Sequence, residues 1–388
     1  MEGSMLKKII FLLAGILILE AAVVFGSISA VLPWFVTRSD QSITGGDSSK
    51  PAHGPIPTYA PTAIDVSPPT LIPIGEPVNP TSISTPVTEQ LNPGPTCFTP
   101  AFIHPFAFMP DNTSILVRGN GGVQIFNLDG LKEASFLQST KNIVTATLSP
   151  DGETLAWSLD DNTIQLLRIS DQKVLHTLSG HTNMVTKLRF SPGGDLLVSA
   201  SHDYWVRVWN LQGEELRSLQ AGEVLGFAIS PDESILATVP SDGPVALWDL
   251  DSLGKIKDLG GYGGYDTSDA QFSPDGQYLA SDLTSAIFLW RVSDASLVWN
   301  EVKNSMAVAF SPDGRYLAYS DVDDGNKIFL ASPDAARVIR IIEGMQGPVW
   351  ELFFSPNGSL LAATDGIGIH IWRVSDGTLL YIGTAVCP

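Results

Sequence analysis

Val185-Thr186-Lys187-Leu188-Arg189-Phe190-Ser191-Pro192-Gly193-Gly194-Asp195-Leu196-Leu197-Val198-Ser199-Ala200 is the stretch that decides how this chain folds. It reads as an alternating strand, a tight turn, and a short strand of apolar and small residues. The turn recurs six more times, as Met109-Pro110-Asp111-Asn112, Ser149-Pro150-Asp151-Gly152, Ser230-Pro231-Asp232-Glu233, Ser273-Pro274-Asp275-Gly276, Ser311-Pro312-Asp313-Gly314 and Ser355-Pro356-Asn357-Gly358. Successive prolines are 40, 42, 39, 43, 38 and 44 residues apart, which is the signature of one structural unit repeated seven times. The chemistry of the turn has a mechanism: Pro presets φ, Asp bonds the neighbouring backbone, and Gly takes positive φ.

Working outward, each unit adds a third strand ending on a bulky residue, as in Val206-Arg207-Val208-Trp209, and a fourth such as Glu215-Leu216-Arg217-Ser218-Leu219. A twisted sheet of four antiparallel strands cannot cover both its faces alone, and stacking seven of them radially buries them against one another. The expectation is an all-β, seven-bladed β-propeller over residues 97–388. The segment from Gly180-His181 through Trp209-Asn210 resembles a WD repeat, with its Gly-His pair, Asp203 and terminal Trp209. That resemblance implies a buried network of His181, Ser199, Asp203 and Trp209, since buried polar groups persist only when they satisfy one another. The next unit keeps Thr238, Asp242 and Trp248, with Glu223 near the place of the missing His. Trp290 and Trp372 hold the terminal position in two other units, and Phe126, Leu167 and Ala331 fill it elsewhere. The resemblance reaches about residues 97–387 as a pattern, and the full motif in one unit. It identifies the chain as similar to membrane-anchored extracytoplasmic WD-repeat proteins of bacterial type.

The ends of the chain are organised differently. Residues 1–8 form a short N-terminus ending in Lys7 and Lys8, and residues 9–36 are apolar with Glu20 as their single charge. About 20 apolar residues span a bilayer, and the lysines ahead of them favour a cytoplasmic N-terminus, so a single transmembrane helix is expected. A cleaved signal peptide is the alternative, with Ser27-Ile28-Ser29-Ala30 offering small residues for cleavage. Both readings place the remainder outside the cytoplasm, either as a single-pass membrane protein or as a secreted one. Residues 37–96 form a Pro/Ser/Thr-rich linker, with 12 Pro and 15 Ser+Thr between residues 38 and 96, too poor in apolar periodicity to offset its conformational entropy. It reads as an extended, disordered stalk.

Both the first and the last unit own four strands, starting near Ile103 and ending at Thr378–Ile382, so no borrowed N-terminal strand is expected to close the ring. The two cysteines, Cys97 and Cys387, flank the repeats. Outside the cytoplasm such a pair oxidises, and a Cys97–Cys387 disulfide is expected to pin the seam.

The formal net charge is −19, and beyond residue 96 the chain has 18 Lys+Arg against 34 Asp+Glu. This acidity argues against nucleic acid as a partner. The six histidines, His53, His104, His176, His181, His202 and His370, match no metal-ligand spacing, and no nucleophile elbow or phosphate loop is present. No catalytic residue, metal site or cofactor is therefore expected. Asn112-Thr113-Ser114 and Asn357-Gly358-Ser359 match the glycosylation sequon, relevant only in a eukaryotic secretory pathway.

The leading functional expectation is a non-catalytic protein-interaction scaffold, itself monomeric, that binds a protein or peptide. Its candidate binding face gathers Phe102, His104, Met184, His202, Tyr262, Tyr265, Met306 and Trp350, at positions that match inter-blade loops. Aromatics and Met are enriched at interface centres, although some of these side chains are equally suited to filling the core. The alternative is an enzyme or small-ligand binder that uses the central channel, as lactonase-like propellers do. The apolar or small residues Phe227, Ala228, Phe272, Ala309 and Phe353 on the inner strands argue against that alternative.

Overall fold

Alternating side chains on the second strand of each repeat explain the architecture. On Thr154–Leu159, Leu155 and Trp157 pack against the preceding sheet, while Ala156 between them packs against the following one. A strand buried on both faces needs a sheet on either side, and the consequence is a ring. In the computed structural model residues 96–97, 104–119, 121–129, 132–261, 269–283, 286–301, 305, 307–334, 337–365 and 368–384 are described. Their strands form seven antiparallel meanders, running in chain order from the innermost strand to the outermost.

Blade 1 runs from His104–Phe108 to Lys132–Gln138, blade 2 from Ile143–Leu148 to Lys173–Leu178, and blade 3 from Val185–Phe190 to Glu215–Gln220. Blade 4 runs from Val224–Ile229 to Lys255–Gly260 and blade 5 from Ala270–Phe272 to Ser296–Glu301. Blade 6 runs from Val308–Phe310 to Val338–Ile342, and blade 7 from Glu351–Phe354 to Leu379–Thr384. Each hydrophobic cluster is shared by two consecutive blades. One of them joins Phe108, Ile115 and Val117 of blade 1 to Ala362, Ile369 and Ile371 of blade 7, which closes the ring. Trp157, Trp209, Trp290 and Trp372 are the largest fully buried side chains.

The Ser-Pro-Asp-Gly turns are both internally bonded and interlocked. Ser149 Oγ donates to Asp151 Oδ1 and accepts the Thr154 N–H at 2.9 Å. The same pair of bonds is made by Ser230, Ser273, Ser311 and Ser355. The fourth turn residue is left-handed in all seven copies, with φ between 58° and 85°. Gly152 shows why: a Cβ there would lie 2.6 Å from Pro110 Cδ of the preceding turn. Gly194, Gly276, Gly314 and Gly358 also face Pro150, Pro231, Pro274 and Pro312, at 3.5 to 3.9 Å, where a Cβ would be in ordinary contact and the left-handed φ is what favours glycine. Where glycine is missing, a side chain reaches back instead. Glu233 Oε1 accepts the Gly193 N–H, and Asn112 Oδ1 accepts the Asn357 N–H at 2.9 Å across the seam between blades 7 and 1. Every turn thus touches its predecessor.

The seam corrects one expectation. Blade 7 owns four strands, but Thr96–Cys97 adds a fifth, parallel to the outermost strand, with Thr96 beside Gly383 and Cys97 beside Thr384. A borrowed N-terminal strand is therefore present, as an addition to blade 7. Its physical reason is the edge it covers: Leu379–Thr384 has no charged residue to discourage stray pairing. A two-residue strand leaves no periodicity to read. Cys387, and with it the Cys97–Cys387 bond, lies outside the described residues, as do the segments 1–8, 9–36 and nearly all of 37–96. Among the described residues no helix is long and apolar enough to cross a membrane.

Candidate functional site

The channel is built by the innermost strands, whose alternate residues face the axis. In blades 1 to 4 the pairing of this strand with its neighbour shifts by one residue, as between Val185 and Lys187. A bulge re-aims the side chains that follow it. Lys187 and Arg189 consequently line the channel, while Phe190 is buried between blades. Phe227, Ala228, Phe272 and Ala309 are likewise buried between blades, although Phe272 also reaches one mouth of the channel and Phe353 reaches both. The expectation of an apolar wall is met at one mouth, lined by Phe190, Phe272, Phe310, Phe353 and Phe354, and corrected at the other, where Lys187, Arg189, Asp269 and Glu351 stand.

One mouth opens into a hollow of about 260 Å³ lined by Phe106, Lys187, Arg189, Asp269, Gln271, Trp350, Glu351 and Phe353 among others. Arg189 binds Asp269 Oδ2 at 3.1 Å and the Ala270 carbonyl at 3.1 Å. Gln271 Oε1 accepts the Phe310 N–H at 2.6 Å, tying blade 5 to blade 6. Burial pushes the Glu351 carboxyl up to about 7, against the opposing pull of Arg118 and Lys187. Burial also pushes Asp282 up to about 7, although the Asp269 N–H donates to its Oδ1 at 2.6 Å. The same cause lowers the Arg118 guanidinium, with Glu351 opposing. The other mouth, about 450 Å³, is ringed by Pro150, Pro192, Pro231, Pro274 and Pro312 from the interlocked turns.

Of the residues expected to bind, Trp350 lines the first mouth. Trp350 is 42% exposed and Met184 38% exposed. His202 is half-buried, with Nδ1 3.2 Å from Glu223 Oε1, and its N–H donates to the Met184 carbonyl at 3.0 Å. His104 begins the innermost strand of blade 1. Phe102, Tyr262, Tyr265 and Met306 lie outside the described residues. Sequence reasoning missed Tyr204, 52% exposed on the same turn as His202. Its signal was the left-handed position after Asp203, where φ is 71°. It also missed Lys187, Arg189, Asp269 and Glu351 as channel residues, the first two because alternation was read through the bulge.

Behind this mouth lies a four-residue chain of hydrogen bonds. His181 Nδ1 is 2.8 Å from Asp203 Oδ2 and His181 Nε2 is 2.8 Å from Ser199 Oγ, which accepts the Trp209 Nε1–H at 2.9 Å. Burial lowers the imidazole below its usual value and outweighs Asp203, so His181 is neutral at pH 7. For Asp203 the opposite balance holds: burial raises it, but bonds from the Thr182 N–H, His181 and the Trp205 N–H together keep it ionised. A neutral ring that donates from Nδ1 to Asp203 and accepts the Ser199 hydroxyl at Nε2 satisfies every member. In blade 4 Trp248 Nε1 donates to Thr238 Oγ1 at 2.8 Å, whereas Asp242 is exposed and outside that pair. With Glu223 near the place of the histidine, nothing bridges Asp242 to the strand; Glu223 instead accepts from Ser241 at 3.1 Å.

This geometry is a familiar one. Residues 172–210 match the WD domain, G-beta repeat. The match begins near the outermost strand of blade 2 and ends on the third strand of blade 3, so the WD repeat straddles two blades. Curated relatives share WD-repeat sequence over longer stretches. The chain is 28% identical to rat (Rattus norvegicus) apoptotic protease-activating factor 1 over 248 residues, 59% of this chain and 19% of that protein. It is 33% identical to Caenorhabditis elegans small ribosomal subunit protein RACK1 over 174 residues, 42% of this chain and 51% of the relative. A third, zebrafish (Danio rerio) WD repeat and SOCS box-containing protein 1, is 39% identical over 102 residues, 25% of this chain and 24% of the relative. The chain spans at most about half the length of these relatives. Among the described residues no group of three or more His, Cys, Asp or Glu is arranged to hold a metal ion.

Proposed function

We propose that this chain is a non-catalytic interaction platform, tethered to a membrane by residues 9–36, that presents the Trp350 mouth of its propeller to a protein or peptide on the extracytoplasmic side. One observation carries this reading. Trp350, which lines the mouth, and Met184 are 42% and 38% exposed, and exposed aromatic and Met side chains are enriched at interface centres. Phe102, His104, Tyr262, Tyr265 and Met306 belong to the same proposed face. The test is a photo-crosslinking residue at position 350, and separately at Pro192 on the opposite mouth, in the full-length chain in its own membrane. A partner captured from position 350 and not from 192 supports the reading, and the reverse pattern overturns it. Release of the propeller from membranes without detergent would show cleavage in place of an anchor.

The charged hollow at the Trp350 mouth favours a second reading, a small polar ligand held between Lys187, Arg189, Asp269 and Glu351. Such a ligand raises the melting temperature of the wild type and not of Glu351→Gln or Lys187→Met.

A further inference from the structure

The chain carries a net charge of −19, yet the hollow at the Trp350 mouth has two cations in its wall, Lys187 and Arg189. Their situations differ. The Arg189 guanidinium binds Asp269 Oδ2 and the Ala270 carbonyl, each at 3.1 Å, and lies 6.0 Å over the Phe227 ring. The Lys187 ammonium is half-buried and makes no ion pair or hydrogen bond with any described residue. A partly desolvated charge without a counter-ion costs free energy, and a bound anion offsets that cost. The carboxyls nearest to it do not fill this role. Glu351 of blade 7 lines the same hollow and faces Arg118, Lys187 and Asp269, while Asp282 of blade 5 faces Asp269 and Lys187. Burial pushes both up to about 7, so at neutral pH each is only partly ionised. With Asp269 taken up by Arg189, the hollow keeps a surplus of positive charge inside an acidic molecule.

We propose that the polar ligand of this hollow, a reading on which the inference rests, carries a single carboxylate that pairs with the Lys187 ammonium. The carboxylate belongs either to a free small acid or to an acidic side chain of a bound peptide. Charge and shape select this class. One ammonium is unengaged, and a dianion such as phosphate would set its second charge beside Glu351 and Asp269. A cation would meet Lys187 and Arg189 instead. Phe106, Trp350 and Phe353 complete the wall with surfaces that suit an apolar body bearing the carboxylate. At about 260 Å³ the hollow lies below the range of roughly 300–1,000 Å³ usual for drug-sized ligands, so it fits a small acid or one inserted side chain. Glu351, when protonated, also presents an O–H donor to the anion.

Equilibrium dialysis of the full-length chain in a non-ionic detergent tests this with phenylacetate, using phenylacetamide and benzylamine as neutral and cationic probes of similar size. A capped tripeptide with a central glutamate, set against its glutamine counterpart, distinguishes an inserted side chain from a free acid. The expected result is that phenylacetate or the glutamate peptide binds, with a Kd raised about tenfold or more by Lys187→Met and restored to within about threefold by Lys187→Arg. Affinity should also tighten as pH falls from about 8 to about 6. Over that range Glu351 and Asp282 lose negative charge beside Lys187, while an acid of ordinary pKa near 4 stays ionised. Acids that bind Lys187→Met as well as wild type overturn the proposal. Preferential binding of phenylacetamide or benzylamine overturns the carboxylate and leaves the hollow a site for another polar ligand. Failure of every probe to bind removes both.

Discussion

Ser199 accepts from Trp209 and donates to His181 at the centre of blade 3, so removing its hydroxyl strands two buried groups at once. Ser199→Ala should lower the unfolding free energy by about 1–3 kcal/mol, read from urea denaturation, because an unsatisfied buried polar group costs its full desolvation. Asp282 acts in the opposite sense. Its folded pKa is raised to about 7 from an ordinary carboxylate value, so the folded state holds the proton more tightly than the unfolded one. Stability is then greatest below pH 4 as far as this group is concerned, and falls as pH rises through 7. Asp282→Asn keeps the oxygen that accepts the Asp269 N–H and removes the charge. It should raise the melting temperature at pH 8 and leave it nearly unchanged at pH 4.5; an equal effect at both would contradict the assignment. Residue types at fixed positions around Trp209 were legible in sequence. Lys187 and Arg189 were not, since a bulge inverts which face each residue takes and leaves no mark on composition.

At the level of elements, the turns show what a repeat encodes and what it conceals. Seven Pro-Asp-Gly-like copies reveal seven units, because the φ restrictions of Pro and Gly are written in the residues themselves. The interlock between successive turns is a three-dimensional property, and so is the exchange of glycine for a reaching side chain at Asn112 and Glu233. Gly152→Ala should destabilise by about 1–3 kcal/mol, since it combines a left-handed φ with a Cβ pressed on Pro110. Asn112→Ala should destabilise more than Asn112→Gly in thermal melts, because both lose the bond to Asn357 and only alanine also meets the left-handed backbone. Acid should loosen the turns as well. The Ser149 and Ser230 hydroxyls hold Asp151 and Asp232 below the usual carboxylate range, so their contribution is complete above about pH 4 and is lost as pH falls through the lowered values.

For the whole molecule, blade number and strand order followed from periodicity, whereas closure did not. The chain pins its own seam with a core shared by blades 7 and 1, a turn-to-turn bond, and the short strand Thr96–Cys97. The proposed Cys97–Cys387 bond would add a covalent tie at the same seam, worth at most about 5–6 kcal/mol by loop entropy. Alkylation of the denatured, unreduced chain should then leave both cysteines unlabelled, and reduction should expose two. The functional claim is tested most directly by the affinity of the full-length chain and its Trp350→Ala variant for the partner captured at position 350. An interface centred on that tryptophan predicts a loss of about 2 kcal/mol or more, roughly 30-fold in dissociation constant. An affinity unchanged by the substitution would contradict the assignment of this mouth as the binding face.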